Sequence, residues 1–201
     1  MHVVYQPKID AHNEGLVGLE ALIRWNHLNH GFVSPPTIIN IAYKSNLTFK
    51  LEKWIFKTVI NQIKKWKEQG FEVPRVSINV TGDTLQHKNF VNFVTELLNQ
   101  TNVSGEYLDI EIVESSLFDN IDAVIEVMNQ LRKLGISFSL DDFGTGFSNL
   151  AYLKVLPISS LKIDKSFIDN IIKDKHASAM CSGIISLANR LDLQTVAEGV
   201  E

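Results

Sequence analysis

Short runs of β-branched and aliphatic residues alternate along this chain with longer stretches whose apolar positions recur at helical spacing. That alternation predicts an α/β fold. The strands expected from it cover residues 3–9, 17–25, 75–80, 108–113, 137–141, 161–164 and 195–197. Ser34 followed by Pro35 predicts the start of a short helix running to about residue 43. Leu51, Trp54, Ile55, Thr58, Val59, Gln62, Ile63 and Trp66 form one face of a longer helix, which Gly70 closes. Asp119 or Asn120 caps a third helix, with Ile121, Val124, Ile125, Met128 and Leu131 turned inward and Gly135 at its end. Residues 179–191 form a fourth.

Only residues 10–16 join the first strand to the second. A parallel crossover needs about a dozen residues or more, so these two strands are expected to form an antiparallel hairpin. The later links are long enough for parallel crossovers. Seven strands in this alternation favour a barrel, and an open doubly wound sheet also satisfies the periodicity.

Within the strands, polar and aliphatic residues alternate. Glu20, Leu22 and Arg24 share one face, opposite Leu19, Ala21 and Ile23. Ser77, Asn79 and Thr81 oppose Val76, Ile78 and Val80; Asp109 and Glu111 oppose Leu108, Ile110 and Ile112; Lys162 and Asp164 oppose Leu161 and Ile163. A side-chain period of two puts each set on one side of the sheet. Crossover helices must cover the apolar side, so in a barrel the polar side faces the lumen. The last polar residue of each strand then reaches the C-terminal mouth, where barrel enzymes place their chemistry. That mouth gathers Asn79, Glu111, Asp141, Asp142, Lys162 and Glu198, with Glu20 nearby. Unpaired carboxylates at this density repel one another, and divalent cations would neutralise them. The lack of sulfur and imidazole donors favours Mg²⁺ or Mn²⁺ over zinc.

Composition narrows the setting. A chain of 201 residues that is 45% hydrophobic suits one folded domain. Its one cysteine, Cys181, excludes a disulfide-stapled scaffold and points to a cytoplasmic redox environment. A net charge of −4 argues against binding long nucleic acid over the whole surface, but leaves room for a small anionic ligand in a local pocket. No stretch approaches the roughly 18 apolar residues of a membrane span, and the first residues, MHVVYQPKID, lack the pattern of a signal peptide. Any membrane anchor is expected outside this chain.

The ordered motifs YQP (5–7), EALIRW (20–25), SINVT (77–81), EIVES (111–115), DDFGTGFSNL (141–150), LKIDKSF (161–167) and AEGVE (197–201) resemble those of the EAL family, bacterial phosphodiesterases acting on cyclic di-GMP. The resemblance covers essentially the whole chain. It implies a modified TIM (β/α)8-type barrel with an antiparallel first strand, in keeping with the short first hairpin. It also implies two-metal hydrolysis of cyclic di-GMP to linear pGpG. Glu20, Asn79, Glu111 and Asp141 match the ligands of the first metal. Asp141 and Asp142 match the carboxylates of the second, with Asp141 bridging. Lys162 matches the lysine that holds the attacking water, Glu198 the glutamate supporting the second metal, and Asp164 a partner for that lysine. Gln6, Leu22 and Arg24 match substrate contacts, Arg24 through phosphate. Glu114 matches a glutamate that anchors the loop containing Gly144 and Gly146. Calcium is expected to bind but inhibit, because it takes longer and looser oxygen coordination.

Adjacent carboxylates on a regular strand point to opposite faces, so the Asp141-Asp142 pair is expected to need a special strand end before Phe143-Gly144. Departures from the family pattern are Val113 for threonine, Phe147 for tyrosine and Leu28 for proline; none touches a ligand position. Against a family barrel of about 250 residues, the chain is expected to lack the first helix and the last strand and helix. The barrel would then stop after its seventh strand, leaving open edges that favour a homodimer. Fused sensory or diguanylate cyclase domains are expected in a parent protein. The alternative function is a non-catalytic cyclic di-GMP receptor or interaction module, which should show lost ligands; none is lost here. His27 and His30, the three tryptophans, Cys181 and the Lys64, Lys65 and Lys67 cluster are read as structural or solvated residues rather than as sites.

Overall fold

The computed structural model describes residues 1–114, 121–145 and 150–200. In chain order its elements are β1 (His2–Ile9), β2 (Leu16–His27), β3 (Gly31–Val33), α1 (Pro35–Lys44), α2 (Thr48–Glu68), β4 (Arg75–Asn79), α3 (Gly82–Leu85) and α4 (Phe90–Thr101). They continue with β5 (Leu108–Val113), α5 (Ile121–Arg132), β6 (Ser137–Phe143), α6 (Leu150–Leu153), β7 (Ser160–Ile163), α7 (Lys165–Ile168), α8 (Lys175–Arg190) and β8 (Gln194–Ala197). The caps expected at Asp119 or Asn120, and residues Ser115, Gly146, Phe147 and Glu201, lie outside the described residues.

The main sheet runs β1-β2-β4-β5-β6-β7-β8, with the short β3 paired to β2. β1 is antiparallel to β2, and every later pair along the path is parallel. This is the α/β half-barrel of a modified TIM barrel, with the reversed first strand that the seven-residue link required. The two ends of the path, β1 and β8, are each paired on one side among the described residues.

The aliphatic parity set forms the outer face. Val76, Ile78, Leu108, Ile110, Phe138 and Leu161 have no more than traces of exposed surface, and they share one buried core with Phe56 and Ile60 of α2, Phe90 and Val94 of α4, and Val124 and Met128 of α5. Each such fully buried side chain contributes roughly 1.5–3 kcal/mol relative to exposure. Phe56 meets Phe90 edge-on at 5.5 Å.

Besides the short helices α3, α6 and α7, three features differ from the sequence expectation. The helix α4 lies between β4 and β5 where no element was expected; its apolar residues Phe90, Val94, Leu97 and Leu98 are buried, and Asn102 ends it in the left-handed conformation at φ 55°. The short β3 extends β2 into a second hairpin. The buried stripe of α2 is Glu52, Phe56, Val59, Ile60 and Ile63, rotated from the face drawn through Leu51, Trp54 and Thr58. Trp66 sits at the rim, edge-on to Tyr5 at 4.8 Å. Cys181 is buried, and Lys67 lies over the Tyr107 ring.

Candidate active site

Lys162 is the hub of the lumen-facing residues. Its ammonium donates to Glu111 Oε2 at 2.7 Å and Asp141 Oδ2 at 3.0 Å, and lies 2.7 Å from Glu198 Oε1 and 3.6 Å from Glu20 Oε2. An ammonium has three hydrogens, and the three nearest carboxylates account for them. Asn79 donates from Nδ2 to Glu20 Oε1 at 3.0 Å, which turns its carbonyl oxygen away from that carboxylate. Strand parity thus brings together Glu20 from β2, Asn79 from β4, Glu111 from β5, Asp141 from β6 and Lys162 from β7, with Glu198 directly after β8.

The adjacent aspartates meet because the end of β6 is irregular. The β6–β7 register shifts between Leu140 and Phe143, and Asp142 adopts φ 55°, in the left-handed region that L residues rarely occupy. Carboxylate oxygens of Asp141, Asp142 and Glu198 consequently lie within 4.8 Å of one another. Backbone strain at a non-glycine residue is retained where surrounding structure fixes it, commonly at working sites.

A second lysine lies in the lumen. Lys8 on β1 donates to Glu111 Oε1 and to Ser77 Oγ, each at 2.6 Å. Ser77 passes the hydrogen bond on to Asp109 Oδ2, which also accepts from Ser139, while Asp109 Oδ1 accepts from Ser137. The sequence reading missed Lys8. The signal was available: in the β1–β2 register Gln6 stands opposite Glu20, so Gln6 and, two residues on, Lys8 share the lumen face.

Five carboxylates, those of Glu20, Glu111, Asp141, Asp142 and Glu198, face two ammonium groups. Burial, followed by repulsion from Glu111, pushes the Glu20 carboxyl above its ordinary value. Burial and the neighbouring Asp141 and Asp164 do the same to Asp142, and burial raises Glu198. Burial would also raise Glu111, but the attraction of Lys162 and Lys8 outweighs it and holds this carboxyl below the usual range. Burial alone would lower the Lys162 ammonium; Glu111, Glu20 and Asp141 outweigh that and hold it well above its ordinary value. A surplus of hard oxygen donors crowded into one mouth, three of them with carboxyl groups held above their ordinary values, fits a divalent cation.

The remaining expected residues are placed unevenly. Glu114 is buried and its Oε2 accepts from the Gly144 N–H at 3.4 Å, where the DDFGTG segment leaves β6. Leu22 and Arg24 follow Glu20 on the same face of β2, roughly 7 and 13 Å along the strand, and are half-buried. Gln6 is exposed beside Glu20. Asp164 is placed apart from the lysine it was expected to partner. It lies beyond the end of β7, where strand parity no longer governs, and it caps α7 by accepting from the Ser166 N–H and hydroxyl. Among the described residues the ion pairs of Lys162 are with Glu20, Glu111, Asp141 and Glu198, not with Asp164. His27 accepts from the Asn29 N–H in the β2–β3 turn, and its ring lies 4.8 Å from that of His30.

A family model for the EAL domain matches residues 1–201. The chain belongs to the EAL family. It is 36% identical over 197 residues to the bifunctional diguanylate cyclase/cyclic di-GMP phosphodiesterase MucR of Pseudomonas aeruginosa, a match covering 98% of this chain and 29% of that protein. It is 34% identical over 201 residues to the oxygen sensor protein DosP of Escherichia coli, covering 100% of this chain and 25% of that protein. The chain therefore spans about a quarter to a third of these curated relatives. Among solved structures it is similar to the PaMucR phosphodiesterase in complex with c-di-GMP, with a TM-score of 0.93 and 36% identity over 99% of this chain and 81% of that one. Among the described residues, no helix of this EAL domain is long and apolar enough to cross a membrane.

Proposed function

We propose that this EAL domain hydrolyses one phosphodiester of cyclic di-GMP to give linear pGpG. The observation that carries the reading is the convergence of Glu20, Asn79, Glu111, Asp141, Asp142 and Glu198 around the buried Lys162. Its support outside the chain is similarity over nearly the full length to proteins named as cyclic di-GMP phosphodiesterases.

In this reading Glu20, Asn79, Glu111 and Asp141 hold one Mg²⁺ or Mn²⁺, and Asp141, Asp142 and Glu198 hold a second. Bound cations would acidify a water and neutralise charge developing at phosphorus. Lys162, kept as an ammonium, serves as a hydrogen-bond donor that orients the attacking oxygen rather than as a base. Water adds across one P–O bond: phosphorus gains the hydroxyl oxygen, and the departing ribose oxygen takes up a proton. Gln6, Leu22 and Arg24 line the approach, with the Arg24 guanidinium suited to a phosphate oxygen. Glu114 holds the start of the loop after β6 against the site. Ca²⁺ is an inhibitor in this scheme, because its looser coordination activates water less.

The proposed setting is the cytoplasm, as a homodimer within a longer protein that adds sensory or diguanylate cyclase domains. The deciding experiment incubates chelator-treated protein with cyclic di-GMP and Mg²⁺ or Mn²⁺ and resolves the nucleotides by chromatography. Metal-dependent appearance of pGpG supports the reading. Tight nucleotide binding without pGpG under any of these metals would favour a receptor.

A further inference from the structure

Glu111 is fully buried, and its two carboxylate oxygens have different partners. Oε2 faces Lys162 on the mouth side at 2.7 Å, while Oε1 faces Lys8 at 2.6 Å. Lys8 is itself held: Ser77 Oγ lies 2.6 Å from the same ammonium and leads on to the Asp109 carboxylate. Its aliphatic stem enters the lumen over Gly18, its register partner on β2. A Cβ at residue 18 would stand 3.3 Å from Lys8 Cδ, so the missing side chain there makes room for the lysine. The reversed direction of β1 is what lets a residue after Gln6 reach beneath the acidic cluster rather than above it.

We propose that Lys8 is a positioning residue that sets the cation preference of the site by withholding Glu111 Oε1, so that only Oε2, which it shares with Lys162 at the mouth, remains for a metal. The inference rests on the divalent-cation site proposed above. Mg²⁺ demands compact octahedral coordination, which one oxygen per carboxylate supplies. Ca²⁺ takes six to eight ligands and accommodates bidentate carboxylates. An ammonium fixed on Oε1 denies Glu111 the bidentate mode and so disfavours the larger ion. Freed of Lys8, the buried glutamate could offer both oxygens. Hydrogen-bonding partners behind a ligand commonly change metal affinity by about 10–100-fold when removed.

The test measures Mg²⁺ and Ca²⁺ affinities of the purified protein by calorimetry without nucleotide, in wild type, Lys8→Met, Lys8→Gln and Lys8→Arg. The Ca²⁺-to-Mg²⁺ affinity ratio is expected to rise about tenfold in Lys8→Met. Lys8→Arg keeps a cation on Oε1 and should stay near the wild-type ratio. Lys8→Gln, a gentler change, should rise part of the way and carries the test if Lys8→Met does not fold. An unchanged ratio in a folded Lys8→Met or Lys8→Gln protein that still binds both ions overturns the role of Lys8 and leaves the phosphodiesterase reading standing. A wild-type protein that binds neither ion overturns the cation site itself, and this proposal with it.

Discussion

Asp141 and Asp142 are consecutive in sequence, yet both carboxylates reach the same mouth, because Asp142 takes a left-handed φ of 55° at the end of β6. A regular strand would send one of them to the outer, apolar face. The arrangement costs backbone strain and like-charge repulsion, and in the proposed reading a second cation offsets the repulsion.

This separates charge from conformation at residue 142. Asn tolerates the left-handed region as Asp does, so Asp142→Asn should fold normally and melt no lower than wild type without metal. Turnover of cyclic di-GMP should fall by about 100-fold or more through loss of a cation ligand. Asp142→Val should lose turnover and also destabilise the protein by roughly 1–2 kcal/mol, because a β-branched residue resists this backbone. Denaturant unfolding alongside nucleotide chromatography distinguishes the two; equal stability of the two variants would show that the conformation at 142 is not strained.

Lys162 bears on metal-free stability as well as chemistry. Removing it leaves the buried Asp141 without its ammonium partner and Glu111 with Lys8 alone, and breaking a buried pair in this way typically costs about 3–5 kcal/mol. Lys162→Met should therefore melt well below wild type in chelator and recover much of the difference in saturating Mg²⁺, which neutralises the same carboxylates. Turnover should be lost while most nucleotide binding remains. If binding vanished together with turnover in the metal-loaded variant, the lysine would be a substrate clamp instead.

The polar parity of β2, β4, β5 and β7 made the lumen legible, since a strict two-residue period fixes which side chains converge regardless of sequence distance. The need for a special conformation at Asp141-Asp142 was legible for the same reason. Lys8 was missed because its acceptor lies 103 residues away and the first strand was read for pairing rather than for parity. The α7 cap at Asp164 was not legible, because parity was carried one residue past the end of β7, where the chain turns. Glu52 was excluded from the buried face of α2 because sorting residues by polarity cannot identify a carboxyl that folding puts inside.

The mouth residues should divide by what else they hold. Glu20→Ala, Asn79→Ala and Glu111→Ala are each expected to abolish turnover through loss of cation affinity. Glu111→Ala also strips an acceptor from both Lys8 and Lys162, so its metal-free stability should fall by about 3 kcal/mol or more. Asn79→Ala breaks one hydrogen bond to Glu20 and should cost about 1–2 kcal/mol. Calorimetric Mg²⁺ binding and urea unfolding on the same samples check both halves. Unchanged metal affinity in any variant would remove that residue from the cation's ligands.

Glu52 offers a pH test remote from the cations. It is buried on α2, its Oε1 accepts from the Thr81 N–H at 3.2 Å, and its Oε2 has no hydrogen-bond partner among the described residues. Burial pushes its carboxyl from the ordinary 4.5 up to about 7. The folded protein thus keeps this proton over a range in which the unfolded chain has released it. Stability from this source is full below pH 4.5, declines as pH rises, and is gone above pH 7, with a total on the order of 3 kcal/mol. Glu52→Gln keeps an acceptor for Thr81, removes the ionisation and leaves Thr84, whose Oγ1 also lacks a partner, beside an amide rather than a carboxylate. The variant should match wild type near pH 5, exceed it at pH 8, and lose that component of the pH slope. Unfolding free energies from urea titrations at half-unit steps between pH 4.5 and 8.5 measure the difference directly. A constant offset between the two proteins across that range would show that Glu52 is ionised in the fold, and that the Thr81 N–H contact suffices to hold a buried carboxylate.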